Sequence, residues 1–214
     1  MLLQEERHVP ALADSTPLCP EKSFLSGSWV DAEFRSTEHV MFIVAMFTGM
    51  RQGELLGLSW DNVNFKTGQI TIKQQLQCKD GVYFLETPKS GKYRVLSPAP
   101  VVMDALKDEQ QQQNANKQIV GAAWENKWSL VFTDALGKNL VRRTVVKHFK
   151  AVIERANIPP DVRFHDLRHS FAVTSLYSGD DVKTVQASLW RRLRPDIKRL
   201  STSMAINPIQ PCPN

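Results

Sequence analysis

His165, Arg168 and His169 crowd the first turn and a half of one segment, Phe164-His165-Asp166-Leu167-Arg168-His169-Ser170-Phe171. Residue types of this kind suit an anion. A helix N-terminus carries partial positive charge and free N–H groups, and an arginine adds a planar two-donor fork for two phosphate oxygens. The same arginine is equally open to a structural role as an ion-pair partner of Asp166 or Asp161. A second cationic candidate lies far upstream, where Thr48-Gly49-Met50-Arg51-Gln52-Gly53-Glu54-Leu55-Leu56-Gly57-Leu58 follows the apolar run Val40 to Phe47. A third, Lys89, falls between them in Glu86-Thr87-Pro88-Lys89-Ser90-Gly91-Lys92-Tyr93-Arg94-Val95-Leu96.

Each candidate needs an element to hold it. Phe171, Ala172, Val173 and Leu176 recur at helical spacing, which predicts a helix opening at the His165 cluster. The upstream segment reads as helix, glycine break, helix. Arg51 begins the second of these, Leu55, Leu56 and Leu58 form its buried stripe, and Glu54 lies near the positive end of its dipole. Gln69 to Ile72 and Val82 to Leu85 alternate as strands around Lys79-Asp80-Gly81, and Ser90-Gly91-Lys92 forms the tip of a second turn with Lys89 at its edge. Lys89 and Lys92 taken alone are ordinary turn lysines; the flanking motifs favour Lys89. A helix from Val101 to about Gln118, a strand around Leu130 to Thr133 and a helix from about Arg142 to Ala156 fill the interval. The Gln110 to Gln113 run reads as a solvated helix face or frayed end. Trp124 and Trp128 read as core, and Asn157-Ile158-Pro159-Pro160 as a helix breaker.

The segment around Arg51, extended through Trp60 and Asp61-Asn62-Val63, resembles the first arginine motif of the tyrosine recombinases, the phage integrase family. The Lys89 hairpin and the His165-Arg168 box follow in the family's order, so the resemblance runs from about Glu38 to Leu189. It implies an α+β, mainly α, catalytic domain with a small antiparallel sheet and hairpins. It also implies that Arg51 and Arg168 clamp one scissile phosphate of duplex DNA, with His165 donating a hydrogen bond or shuttling a proton. Lys89 would protonate the departing 5′ oxygen. His169 has the family's residue type at its position, with a secondary or structural role. The implied reaction, strand cleavage and rejoining through a 3′-phosphotyrosine for DNA integration or recombination, uses no metal or other cofactor. Consistent with that, the histidines and cysteines show no ligand spacing.

The chain departs from the family after Leu189. Where Gly-His and then a tyrosine are expected, it continues Trp190-Arg191-Arg192-Leu193-Arg194-Pro195, and no tyrosine follows Tyr177. Tyr177 falls in the preceding helix, and Tyr83 and Tyr93 belong to the hairpins, so no nucleophile is found by position. Reading one base later converts Trp190 into glycine, and synonymous codons permit a tyrosine within the shifted Asp196 to Ser201 stretch. A frameshift near Leu189, leaving residues 190–214 as an atypical tail, is the resulting expectation. The alternative function is a non-catalytic DNA-binding remnant that keeps the phosphate clamp.

Residues 1–37 match no part of the family pattern. Pro10, Pro17 and Pro20 break helices there, and the stretch is too short for the helical clamping domain that integrases carry before the catalytic one. Net charge is +5, concentrated at the C-terminal end, where residues 142–214 hold 13 Lys/Arg against 6 Asp/Glu. Such asymmetry suits a DNA backbone. No apolar run reaches membrane length, and Cys19, Cys78 and Cys212 are scattered as in a reducing cytoplasm. The expected partners are double-stranded DNA at attachment or recombination sites and full-length integrase protomers, in the cytoplasm.

Overall fold

The computed structural model describes residues 37–87 and 93–189. Lys89 with its turn, residues 1–36 and the tail from Trp190 lie outside the described residues.

Helix α1, Thr37–Thr48, is the apolar run seen in the sequence, and it buries Met41, Phe42, Val44 and Ala45. It stops because Gly49 takes the left-handed conformation, φ +61°, and returns its N–H to the Ala45 carbonyl at 3.0 Å. The short helix α2, Gln52–Leu56, follows, with Leu55 and Leu56 buried. After a 3-10 turn at Trp60–Asn62 come β1 (Val63–Asn64), β2 (Gln69–Ile72), β3 (Gln75–Lys79), β4 (Val82–Glu86) and β5 (Arg94–Leu96). Strands β1, β2 and β5 form an antiparallel sheet in that order, with Ile70 opposite Leu96 and Ile72 opposite Arg94. Strands β3 and β4 form a separate hairpin in which Lys79 pairs with Val82. Its two-residue loop, Asp80-Gly81, has positive φ at both positions, 51° and 79°. That is the backbone whose twist matches paired strands, and Asp-Gly favours it.

Helix α3, Pro100–Val120, lies against α1 and buries Val102, Met103, Leu106, Glu109 and Gln113. Helix α4, Arg142–Arg155, buries Val145, Phe149 and Ile153. It ends in a Schellman motif: Asn157 at φ +55° donates to the Glu154 carbonyl, and Ile158 donates to that of Ile153. Helix α5, Asp166–Tyr177, and helix α6, Val182–Leu189, complete the described chain. Three rings, Phe42, Phe149 and Phe164, meet edge to face at 5.6–5.9 Å between centroids, so α1, α4 and the residue preceding His165 share one core. Ala172, Leu176, Val185 and Leu189 form a smaller apolar cluster between α5 and α6. Phe171 and Val173, expected in the α5 stripe, are only half-buried.

Three expectations are corrected. Gln69 to Ile72 does not pair across the Asp80-Gly81 turn, because β3 takes that place, and β4 and β5, on either side of residues 88–92, belong to different sheets, β5 pairing with β2. Leu130 to Thr133 is held by single bridges, Ser59 to Leu130 and Thr133 to Asn139, and not by a regular strand. The glutamine run is not uniformly solvated: Gln113 is buried and organises that irregular segment. Its Nε2 donates to the carbonyls of Leu130 and Val131 and to Thr133 Oγ1 at 3.0–3.1 Å, while Trp60 Nε1 donates to its Oε1 at 2.7 Å. An amide side chain thus supplies the pairing that a neighbouring strand would otherwise give. Trp128 packs against the main core and Trp124 is half-buried with Gly137 beneath its ring. Trp60→Phe, which removes the donor to Gln113 and replaces the indole with a smaller phenyl ring, is expected to cost about 2 kcal/mol. Urea unfolding at constant m-value checks it.

Candidate active site

Arg51 immediately precedes α2 in extended conformation, φ −73° and ψ 151°. Its seat is Glu54, one turn on. The Arg51 backbone N–H donates to Glu54 Oε2 at 2.8 Å and its Nη1 donates to Oε1 at 2.7 Å. A second arginine reaches the same carboxylate from β5. Arg94 Nη1 donates to Oε1 at 3.1 Å and Nη2 to Oε2 at 2.6 Å, so each oxygen accepts one bond from each arginine. Burial alone would raise the Glu54 pKa, but the hydrogen bonds and charge of Arg94, joined by those of Arg51, hold it at about 2. Glu54 is therefore ionised at neutral pH. Exposure within the triad is graded: the side chains of Glu54 and Arg94 are each 8% exposed, whereas that of Arg51 is 37% exposed. Arg51 is the member that a ligand can reach.

Arg168 is placed differently from an open phosphate fork. It is buried, and its Nη1 and Nη2 donate to the backbone carbonyls of Gly49 and Leu189. Those bonds tie α5 both to the turn that delivers Arg51 and to the end of α6. Asp166 is engaged by Arg163, whose N–H donates at 2.8 Å and whose Nη2 donates at 3.2 Å. Gly49 makes the approach possible. A Cβ there would lie 2.6 Å from Phe171 Cδ1 and 2.7 Å from Leu189 Cδ2, so a side chain at residue 49 would have to displace both and would also meet a left-handed φ of +61°.

His165 precedes α5 with helical dihedrals and is exposed, and His169 one turn later is half-buried. Their rings meet at 5.4 Å and 89°, edge to face. The described residues thus bring Arg168 to the Arg51 turn through Gly49 and stack His165 with His169. Arg94 was not singled out from the sequence, although the alternation of β5 carries a signal. Arg94 and Leu96 are buried on one face and Val95 is exposed on the other, so a charged residue stands at an inward position and requires a partner. Among the described residues no helix is long and apolar enough to cross a membrane.

Residues 31–190 match the family model described as the phage integrase family. Among curated relatives, a XerC-like tyrosine recombinase of Caldanaerobacter subterraneus is 27% identical over 164 residues, 70% of this chain and 41% of that protein. The tyrosine recombinase XerD of Lacticaseibacillus casei is 26% identical over 174 residues, 77% of this chain and 53% of that one. This chain therefore spans about half the length of the curated relatives it matches. Among solved structures, the Tn1549 transposon integrase in complex with a circular intermediate DNA superposes with a TM-score of 0.68 at 20% identity, covering 90% of this chain and 68% of that one. The XerH site-specific recombinase bound to its palindromic difH substrate gives 0.58 at 24% identity, covering 81% and 44%. At these identities the superpositions establish a common fold.

Proposed function

This chain belongs to the phage integrase family, and from that premise we propose that its catalytic domain, about residues 38–189, grips one phosphate of duplex DNA with Arg51 and Arg168 in the site that, in an intact recombinase, performs strand cleavage and rejoining. The supporting observation is the Arg168 bond to the Gly49 carbonyl, which joins the second arginine box to the turn carrying the first. Arg51 meets the phosphate from α2. Arg168 stands behind the Arg51 turn, where its buried charge adds to the field at the phosphate. His165 donates to a non-bridging oxygen, Lys89 protonates a departing 5′ oxygen, and His169 orients His165 through their ring contact.

A second reading, a clamp that binds without cutting, is favoured for this chain by one fact: residues 178–214 contain no tyrosine. On this reading the 214 residues bind DNA and form no phosphotyrosine unaided, and a full-length protomer in a mixed assembly supplies the nucleophile. The partners proposed are double-stranded attachment or recombination sites and such protomers, in the cytoplasm.

DNA-binding titrations at several salt concentrations test the clamp. Arg51→Ala is expected to weaken binding about tenfold and to lower the salt slope by about 1, because one charged contact to a phosphate is lost. Lys89→Ala should weaken it less, since its role is assigned to the departing oxygen. Equal and negligible effects of both substitutions would remove the phosphate clamp.

A further inference from the structure

Glu54 poses an electrostatic problem for the clamp proposed above, on which this inference rests. A carboxylate hydrogen-bonded to Arg51 at both its backbone and its guanidinium would cancel the charge that Arg51 is to present to a phosphate, and would itself repel the phosphate. Arg94 removes that conflict. It holds Glu54 with a bidentate pair from β5, and it is as buried as Glu54. Two arginines on one carboxylate leave a net charge of one, and the only substantially exposed member of the three is Arg51.

We propose that Arg94 is a positioning residue for the phosphate clamp: by neutralising Glu54 from within, it leaves Arg51 cationic and fixed in orientation toward DNA. The planar fork suits this role better than a point charge, because both Glu54 oxygens are engaged at once and the carboxylate plane is locked. A purely structural pair would hold α2 to β5 and have no bearing on the charge of Arg51. The two roles separate when Glu54 and Arg94 are neutralised together, since replacing both members of a buried pair is far better tolerated than replacing one.

The test is a set of variants of the 214-residue chain, Arg94→Met, Glu54→Gln and Glu54→Gln/Arg94→Met, with Arg51→Ala as reference, each titrated with a fluorescein-labelled duplex at low and moderate salt. Thermal melts run in parallel. Arg94→Met is expected to weaken binding about tenfold, as much as Arg51→Ala, because Glu54 then consumes the Arg51 charge. Adding Glu54→Gln is expected to restore affinity to within about threefold of the parent. Loss without restoration in a folded double variant would overturn the proposal, as would undiminished binding by Arg94→Met. If Arg94→Met does not fold, Arg94→Lys takes its place. It keeps the charge and gives up the fork, so affinity between that of the parent and that of Arg51→Ala is expected, while a loss matching Arg51→Ala would overturn the proposal. An Arg51→Ala variant that binds like the parent would sink the clamp itself, and is thereby distinguished from a failure of Arg94 alone.

Discussion

Gly57→Ala is expected to destabilise the protein by roughly 3 kcal/mol, at the upper end of what overpacking costs. A Cβ at residue 57 would lie 2.6 Å from the Leu76 nitrogen, 2.8 Å from the Gln75 carbonyl carbon and 2.9 Å from the Gln75 Cα. These are backbone atoms, so no change of rotamer relieves the contact. Strand β3 would have to withdraw from α2, and with it the buried Leu76 and the bond from Gln74 Nε2 to the Gly57 carbonyl at 2.9 Å. Because α2 carries Glu54, the same movement would disturb the seat of Arg51. Gly68→Ala is the control: its φ is +66°, yet nothing lies within 4 Å of the added carbon, so it should cost only about 1 kcal/mol of backbone strain. Urea midpoints at constant m-value compare the two, and equal shifts would contradict the close approach of α2 and β3.

Glu109→Gln should stabilise the protein at alkaline pH by about 3 kcal/mol and remove a pH dependence. Glu109 is buried on α3, 4% exposed, and accepts the Thr37 hydroxyl at 2.8 Å. Burial pushes its carboxyl up to about 7 from an ordinary 4.5; the Thr37 bond opposes this and the nearby Glu38 charge adds to it. The folded state thus binds the proton more tightly than the unfolded chain. Its contribution is fully present below about pH 4.5, declines as pH rises, and is lost once pH passes about 7. Glutamine mimics the neutral form and keeps an acceptor for Thr37. The difference between variant and parent should therefore be small near pH 4.5 and reach its full value near pH 8. A difference that stays constant across this window, measured by chemical denaturation, would mean that Glu109 does not carry the proton.

The elements legible in the sequence were those whose signals are local. The apolar run before Gly49, the stripe of α4 and the Asp80-Gly81 turn each follow from spacing or turn chemistry, but the strand that enters that turn is β3, Gln75–Lys79, and not Gln69 to Ile72, which pair with β1 and β5. The order of the first and last motifs also conveyed the fold, since α1 packs against both α2 and α5. What spacing could not convey was the use of side chains in place of secondary structure. Gln113 sits in a run of identical residues, and only the geometry of α3 against the Leu130 to Thr133 segment selects it for burial. Arg168 was recognised by type and position, but its two carbonyl partners are residues far apart in the chain, Gly49 and Leu189. The triad around Glu54 was invisible for the same reason: Arg94 stands 40 positions from its partner.

The most direct measurement is to incubate the 214-residue chain with nicked duplexes drawn from the DNA flanking its gene, then resolve each sample on native and denaturing gels. With the clamp intact and no tyrosine after Tyr177, the native gel should show a complex that weakens as salt rises, and the denaturing gel no covalent protein–DNA band. A covalent band formed by this chain alone, lost in Tyr177→Phe, would show that it carries a working nucleophile and contradict the non-cutting clamp. The absence of any complex at low salt would contradict the clamp itself.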